Sequence, residues 1–163
     1  MKVIIPLAGK GTRVRQHSYS KPKSCIALAG KMVIQHLLDH ILTVSPQEVI
    51  LVTDPANTDT YTKILPSLYP TLRFQFAVQE LPLGTAHAIL QARPYVHEGD
   101  DILVVYSDSL FVKDLRCLGV LKTRYDGVIF VKDVEDYQRF GVVLHENRVI
   151  TGMVEKPTTP VST

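Results

Sequence analysis

Residues 3–13 read VIIPLAGKGTR, and this stretch decides the fold predicted for the whole chain. Its first five residues form a short, β-branched apolar run, which predicts a strand buried on both faces. Strands buried on both faces are usually parallel. The two glycines that follow predict a loop whose backbone comes close to a ligand and points N–H groups at it. The chain therefore opens with a buried strand that leads into a glycine-rich loop.

Further strands and helices alternate along the chain after this opening. Strands are predicted at residues 48–53, 73–78, 101–106, 127–132, 140–144 and 148–155. Helices are predicted at residues 32–42, 57–65, 85–92 and 114–125. Repeated strand and helix predict one α/β domain over residues 1–163, with right-handed crossovers and helices on both faces of the sheet. Ligands of such a sheet bind at the carboxyl ends of its strands.

Composition and charge narrow the classes of function. The 163 residues are 45% apolar and 21% charged, which predicts an ordered globular chain. The net charge of +2 is scattered without a basic run, so we expect no nucleic-acid partner and no membrane surface. No apolar stretch approaches a membrane span, and the first residues do not form a signal peptide, which predicts a cytoplasmic protein. Cys25 and Cys117 have no metal-ligand spacing.

The glycine-rich loop has a functional and a structural interpretation. As a phosphate site, its N–H groups would surround phosphate oxygens while Arg13 and Lys23 supply positive charge. Val14 stands where the dinucleotide fingerprint needs a glycine, and the Gly-Lys-Ser/Thr of the P-loop is absent. Taken alone, the loop is equally a tight turn with solvated cations.

Other motifs agree with the phosphate interpretation. They are LAGKGTR at residues 7–13, KPK at 21–23, LAGK at 28–31, QELPLGTAHA at 79–88, SD at 107–108 and EKP at 155–157. In this order they resemble the sugar-1-phosphate nucleotidyltransferases, from residue 3 to residue 160. The resemblance implies a Rossmann-like three-layer α/β/α sandwich with a mixed, mostly parallel sheet. It also implies transfer of NMP from an NTP to a sugar 1-phosphate, with release of pyrophosphate.

The resemblance carries the family's phosphate and metal roles to named positions. The nucleotide loop maps to Leu7, Ala8, Gly9, Gly11 and Thr12. Arg13 maps to the β- and γ-phosphates and Lys23 to the α-phosphate, and both are implied to be catalytic. Asp108, at the end of a predicted strand, is implied to hold Mg²⁺, since carboxylates are its usual protein ligands.

The base and the sugar map to two further groups of residues. Gln79, Gly84 and Thr85 match the base-binding segment, and an amide that pairs with uracil or thymine favours UTP or dTTP. Gly141 and Glu155 match the sugar-contacting positions. His87 lies beside the base-binding segment, where packing under the helix start and a contact in the site are equal alternatives. His36 and His40 lie four residues apart, and we expect partly exposed histidines rather than a metal pair.

The chain ends where the family's sheet continues, which leaves two functions open. One is an active or partner-completed nucleotidyltransferase. The other is a truncated, non-catalytic nucleotide-binding or regulatory relative. A sheet that ends early exposes an apolar edge, so we expect a homodimer formed near the C-terminal strands.

Overall fold

The computed structural model describes residues 1–9 and 22–161. The chain divides into two compact units between Cys117 and Leu118. The prediction of one domain over residues 1–163 stays a prediction, because two compact units can belong to one domain. Arg13, Gly11 and Thr12 lie outside the described residues.

The first unit alternates strands and helices, as the sequence predicts. Its strands are β1 (Lys2–Pro6), β2 (Ala27–Leu28), β3 (Lys31–Met32), β4 (Glu48–Thr53), β5 (Phe74–Val78) and β6 (Ile102–Val104). Its α-helices are α1 (Val33–Ile41), α2 (Thr58–Leu68) and α3 (Thr85–Leu90). Short 3-10 turns occupy Lys23–Cys25, Leu42–Val44, Arg93–Tyr95 and Leu115–Cys117.

The main sheet has four strands in the order β5-β4-β1-β6, and all of its pairs are parallel. Val3 in the central strand β1 lies opposite Val49 on one side and Leu103 on the other. The short strands β2 and β3 form a separate antiparallel pair. The predicted fold class is therefore confirmed, with the antiparallel pairing confined to separate small sheets.

The two faces of this sheet carry separate apolar cores, because alternate residues of a strand point to opposite faces. One face packs Val3, Ile5, Val49 and Leu51 against α1 and α2. The other face packs Ile4, Ile50 and Val52 against Ala88 and Ala92, in and after α3. Sheet and helices thus form three layers, and the fully apolar strands are explained by burial on both faces.

The helices move from one face of the sheet to the other where the strand order reverses, which marks a topological switch. From β1 the chain adds β4 and then β5 in one direction, and afterwards it returns to place β6 on the far side of β1. The helices that follow β1 and β5 lie on opposite faces of the sheet, α1 in one core and α3 in the other. In open α/β sheets, a ligand crevice lies outside the carboxyl ends of the strands at such a point.

The second unit contains α4 (Leu118–Leu121), a 3-10 turn at Tyr137–Arg139, and an antiparallel hairpin of β7 (Gly141–Glu146) and β8 (Val149–Glu155). The strand predicted at residues 127–132 is wrong, since no strand is formed there. Ile129 and Phe130 are exposed in that segment. An apolar pattern makes a strand only where a neighbour accepts its backbone hydrogen bonds. No helix within the described ranges is long and apolar enough to span a bilayer.

Candidate functional site

Three loops at the carboxyl edge of the main sheet carry those predicted site residues of the first unit that the structure describes. Leu7, Ala8 and Gly9 follow β1, Gln79 follows β5, and Asp108 lies four residues beyond β6. The N–H of Leu7 donates to the carbonyl of Val52 at 2.7 Å, which extends the pairing with β4 beyond the end of β1. Leu7 and Ala8 are buried, whereas Gly9 is exposed. The backbone therefore reaches the surface at Gly9, the first glycine of the predicted phosphate loop.

Lys23 and Asp108 form an ion pair across the topological switch. The Nζ atom of Lys23 lies 3.0 Å from Oδ2 of Asp108, and the side chains are 39% and 60% exposed. Asp108 lies in a tight turn that is closed by a hydrogen bond from the N–H of Ser109 to the carbonyl of Tyr106, 3.0 Å long. Such an exposed pair contributes only about 0 to 1 kcal/mol to stability. The pair places the amine of Lys23, a predicted catalytic residue, beside the carboxylate of Asp108, the predicted metal ligand.

A buried hydrogen bond anchors the turn that carries Lys23. The Oγ atom of Ser24 lies 2.7 Å from the hydroxyl oxygen of Tyr61, which belongs to α2. Ser24 is 3% exposed and Tyr61 is 2% exposed. Burial raises the pKa of Tyr61, so its hydroxyl stays protonated and available for this bond. The sequence analysis missed this pair, since no local pattern relates residues that are 37 positions apart.

Gln79 is held in a fixed orientation at the end of β5. Its backbone N–H donates to the carbonyl of Thr53 at 2.8 Å. Its side chain is buried, and Nε2 donates to the carbonyl of Gly84 at 3.1 Å and lies 2.8 Å from Nδ1 of His87. The two alternatives for His87 were packing under the helix start and a contact in the site. The structure shows a contact of His87 with Gln79, which is a predicted site residue.

Gly84 and Thr85 lie exposed at the start of α3. In the resemblance to the family, a glycine at this position implies room for the base. A Cβ atom at this position would have no neighbour within 4 Å, but the φ angle of +104° lies in the region that favours glycine. The backbone turn into α3 is therefore an independent reason for glycine here.

The separation of these groups fits an extended nucleotide. Two inter-strand spacings separate β5 from β1, and three separate it from β6. At about 4.8 Å per spacing, the ends of these strands lie roughly 10 to 14 Å apart. A base at Gln79 and phosphates at Lys23 would thus lie along one edge of the sheet.

The two predicted sugar-contacting residues are direct neighbours in the second unit. Gly141 in β7 pairs with Glu155 in β8. A Cβ atom at Gly141 would lie 3.1 Å from Oε2 of Glu155, so the glycine leaves room for this carboxylate. Both residues are exposed. The hairpin register therefore places a carboxylate beside the backbone of Gly141, and a carboxylate accepts hydrogen bonds from hydroxyl groups.

Asp108 offers a limited but suitable ligand for a hard cation. Among the residues that the structure describes, no three histidine, cysteine or acidic side chains are grouped to hold a metal. Mg²⁺ in phosphate sites is commonly bound by one or two carboxylates together with water and substrate phosphates. A single exposed carboxylate at the switch fits that mode. The Nε2 atom of His36 lies 2.7 Å from the carbonyl oxygen of Leu28, and Nε2 of His40 lies 2.7 Å from the carbonyl oxygen of Lys113.

Comparison with known proteins identifies the family. The family model described as nucleotidyl transferase matches residues 2–163. Among curated proteins, the bifunctional protein GlmU of Methanocaldococcus jannaschii is 33% identical over 99% of this chain and 37% of its own length. The protein of the same name from Methanococcus vannielii is 32% identical over 96% of this chain and 36% of its own length. The chain thus spans about a third of the length of the curated relatives that it matches.

A solved structure supports the fold. It is a Bacillus anthracis protein assigned as a glucose-1-phosphate thymidylyltransferase, crystallised with a sucrose. The superposition covers 99% of this chain and 67% of the chain of the solved structure, with a TM-score of 0.87 and 24% sequence identity. The family model spans nearly the whole chain, which confirms the resemblance that the sequence motifs indicate. The chain therefore belongs to the nucleotidyl transferase family.

Proposed function

We propose that this chain provides the nucleotide site of an enzyme that transfers NMP from an NTP to a sugar 1-phosphate. The products are an NDP-sugar and pyrophosphate. The observation that carries the proposal is the ion pair of Lys23 and Asp108 at the topological switch, beside the end of β1. Two opposite charges at the carboxyl edge of a parallel sheet suit a polyphosphate with a divalent cation.

In the proposed reaction, a phosphate oxygen of the sugar 1-phosphate attacks the α-phosphorus of the NTP in line with the leaving group. The new P–O bond forms as the bond to the β-phosphate oxygen breaks, and its electron pair leaves with pyrophosphate. Lys23 would stabilise the charge that both phosphates place around the α-phosphorus. Arg13 is proposed to hold the β- and γ-phosphates. Mg²⁺ held by Asp108 would supply further positive charge to the phosphate oxygens.

The proposed nucleotide is UTP or dTTP. Gln79 is fixed through Nε2, and its remaining polar atom, Oε1, can accept a hydrogen bond from the N3–H of uracil or thymine. The backbone at Leu7, Ala8 and Gly9 follows β1, where the phosphate loop begins. Gly11 and Thr12 are proposed to continue that loop, and Thr85 is proposed to complete the base site with Gly84. Gly141 and Glu155 are proposed to bind sugar hydroxyl groups.

Two further proposals concern the state of the protein. Val149, Ile150 and Met153 expose apolar side chains on β8, which supports a homodimer through the β7–β8 hairpin. Light scattering that gives a monomer at all concentrations would refute it. Cys25 and Cys117 are not joined in a disulfide, which agrees with a reducing compartment such as the cytoplasm.

The test is pyrophosphate release by the full chain, with a panel of NTPs and sugar 1-phosphates. Lys23→Met and Asp108→Asn should each lower the rate by at least about tenfold, which corresponds to one charge-assisted contact. Lys31→Met is the matched control, since Lys31 forms an exposed ion pair with Asp39 at 2.6 Å. Equal losses in all three variants would contradict the assignment. Tight NTP binding without pyrophosphate release would instead favour the non-catalytic alternative.

A further inference from the structure

We infer that His87 is a positioning residue that, together with the carbonyl of Gly84, selects which end of the Gln79 amide faces the base. The inference rests on the proposed function, because it concerns the same nucleotide site. His87 does not itself contact the nucleotide in this inference. It acts by accepting one hydrogen atom of the Gln79 amide, which leaves the amide oxygen to meet the base.

The amide nitrogen of Gln79 has two hydrogen atoms and two acceptors. One acceptor is the carbonyl oxygen of Gly84 at 3.1 Å, and the other is Nδ1 of His87 at 2.8 Å. If the amide were rotated by half a turn, its oxygen would face the carbonyl oxygen of Gly84, and two acceptors would repel each other. Among residues 1–9 and 22–161, Oε1 of Gln79 makes no hydrogen bond. No described buried side-chain nitrogen or oxygen lacks a partner, so Oε1 is open to solvent or ligand.

The ring of His87 can serve Gln79 in only one neutral form. A neutral imidazole has one acceptor nitrogen, and two amide nitrogens lie close to the ring. Gln79 approaches Nδ1 at 2.8 Å, whereas Gln91 approaches Nε2 at 3.2 Å. The shorter contact involves the more deeply buried amide, so we assign Nδ1 as the acceptor and place the ring proton on Nε2. Gln91 donates instead to the backbone carbonyl of His87 at 3.1 Å.

This arrangement determines the chemistry that the site recognises. With both N–H groups committed, Gln79 offers the base one acceptor and no donor. It therefore favours a base edge that presents an imino N–H, such as N3–H of uracil or thymine. A second bond, from the amide to a base carbonyl, would need a hydrogen atom that the observed contacts do not leave. One neutral hydrogen bond corresponds to about a 3- to 10-fold preference for UTP over its N3-methyl analogue.

The experiment measures binding of UTP, N3-methyl-UTP and inorganic tripolyphosphate by calorimetry. His87→Leu should lower the preference for UTP over N3-methyl-UTP, because the carbonyl of Gly84 alone then orients the amide, and it should leave tripolyphosphate binding unchanged. His87→Asn is the matched control, because its Oδ1 is bonded to Cγ as Nδ1 is and can accept the same hydrogen bond. We expect this variant to keep the preference. If both variants keep it, or both lose it, the inference is wrong.

A double-mutant cycle separates positioning from a merely structural role. Gln79→Leu removes the amide acceptor and should abolish the preference, and adding His87→Leu to it should change the ratio no further. A further drop in the double variant would show that His87 acts independently of Gln79.

A measurement on the unmodified protein keeps the inference testable if the variants fold poorly. The ¹⁵N spectrum of His87 should show an acceptor nitrogen at Nδ1 and a protonated nitrogen at Nε2. The reverse pattern would overturn the inference while leaving the proposed reaction intact. Failure of the unmodified chain to bind UTP would instead refute the proposed function, and the ¹⁵N pattern would still report the Gln79 contact.

Discussion

Tyr61→Phe tests whether a buried hydrogen bond holds the turn of Lys23. The change removes one hydroxyl group and keeps the aromatic ring that packs in the core. Ser24, whose Oγ lies 2.7 Å from that hydroxyl, is left 3% exposed with this partner gone. Because an unsatisfied buried hydroxyl costs about 1 to 3 kcal/mol, we expect the free energy of unfolding to fall by that amount.

Urea denaturation measures this loss, and the m-value should stay unchanged. Ser24→Ala is the complementary variant, since it leaves the Tyr61 hydroxyl without Ser24. The double variant replaces both partners by apolar groups, so its loss should be smaller than the sum of the two single losses. A loss below about 0.5 kcal/mol for Tyr61→Phe, or strictly additive losses, would refute the reasoning.

For the same variant, Tyr61→Phe, we also predict how the free energy of unfolding depends on pH. Burial raises the pKa of Tyr61 above that of the unfolded chain. Its contribution to stability is therefore complete below the ordinary tyrosine pKa of about 10 and is lost as the pH rises further. Tyr61→Phe should thus lose less stability than the unmodified protein between pH 9 and pH 11, a range chosen at roughly one unit around that pKa. An identical alkaline decline in both proteins would contradict this.

Three further predictions concern Gly84, Lys2 and Asp108 of the first unit, and Gly127 of the second unit is a control for Gly84. Gly84→Ala should cost about 1 to 3 kcal/mol in urea denaturation because of its φ of +104°, whereas Gly127→Ala, with equally open space and no such φ, should cost less. Lys2→Met should cost about 1.5 to 3 kcal/mol, since Lys2 is 8% exposed and lies 2.9 Å from Asp100. It should leave nucleotide binding unchanged, because Lys2 begins β1 at the opposite edge of the sheet. Asp108→Asn should lower the Mg²⁺-dependent part of NTP binding by about 10- to 100-fold in calorimetry, and an unchanged metal dependence would exclude Asp108 as the ligand.

The local pattern of apolar residues was sufficient to predict most of the strands and helices. It was insufficient where a strand forms only if a neighbouring strand pairs with it. The apolar runs at residues 3–7 and 48–53 predict strands, and β1 and β4 form there because burial on both faces needs only apolar side chains. The run at residues 127–132 is similar in composition, yet it forms no strand. The difference is a neighbouring strand, which a pattern of side chains does not specify. The predicted strand at residues 101–106 is likewise shorter in the structure, at Ile102–Val104.

The sequence by itself determined the types of element, their order and the motifs that mark the family, since these depend on residues close together in the chain. The tertiary structure alone decided which distant side chains meet. Lys23 meets Asp108 because the return of the chain places β6 beside β1. Ser24 meets Tyr61 because α2 packs on the same face as the residues before α1. Gln79 and His87 are close in sequence, but only the positive φ of Gly84 and the start of α3 bring their side chains within a hydrogen bond. These contacts follow from strand order and helix packing, which are properties of the whole chain rather than of any one segment.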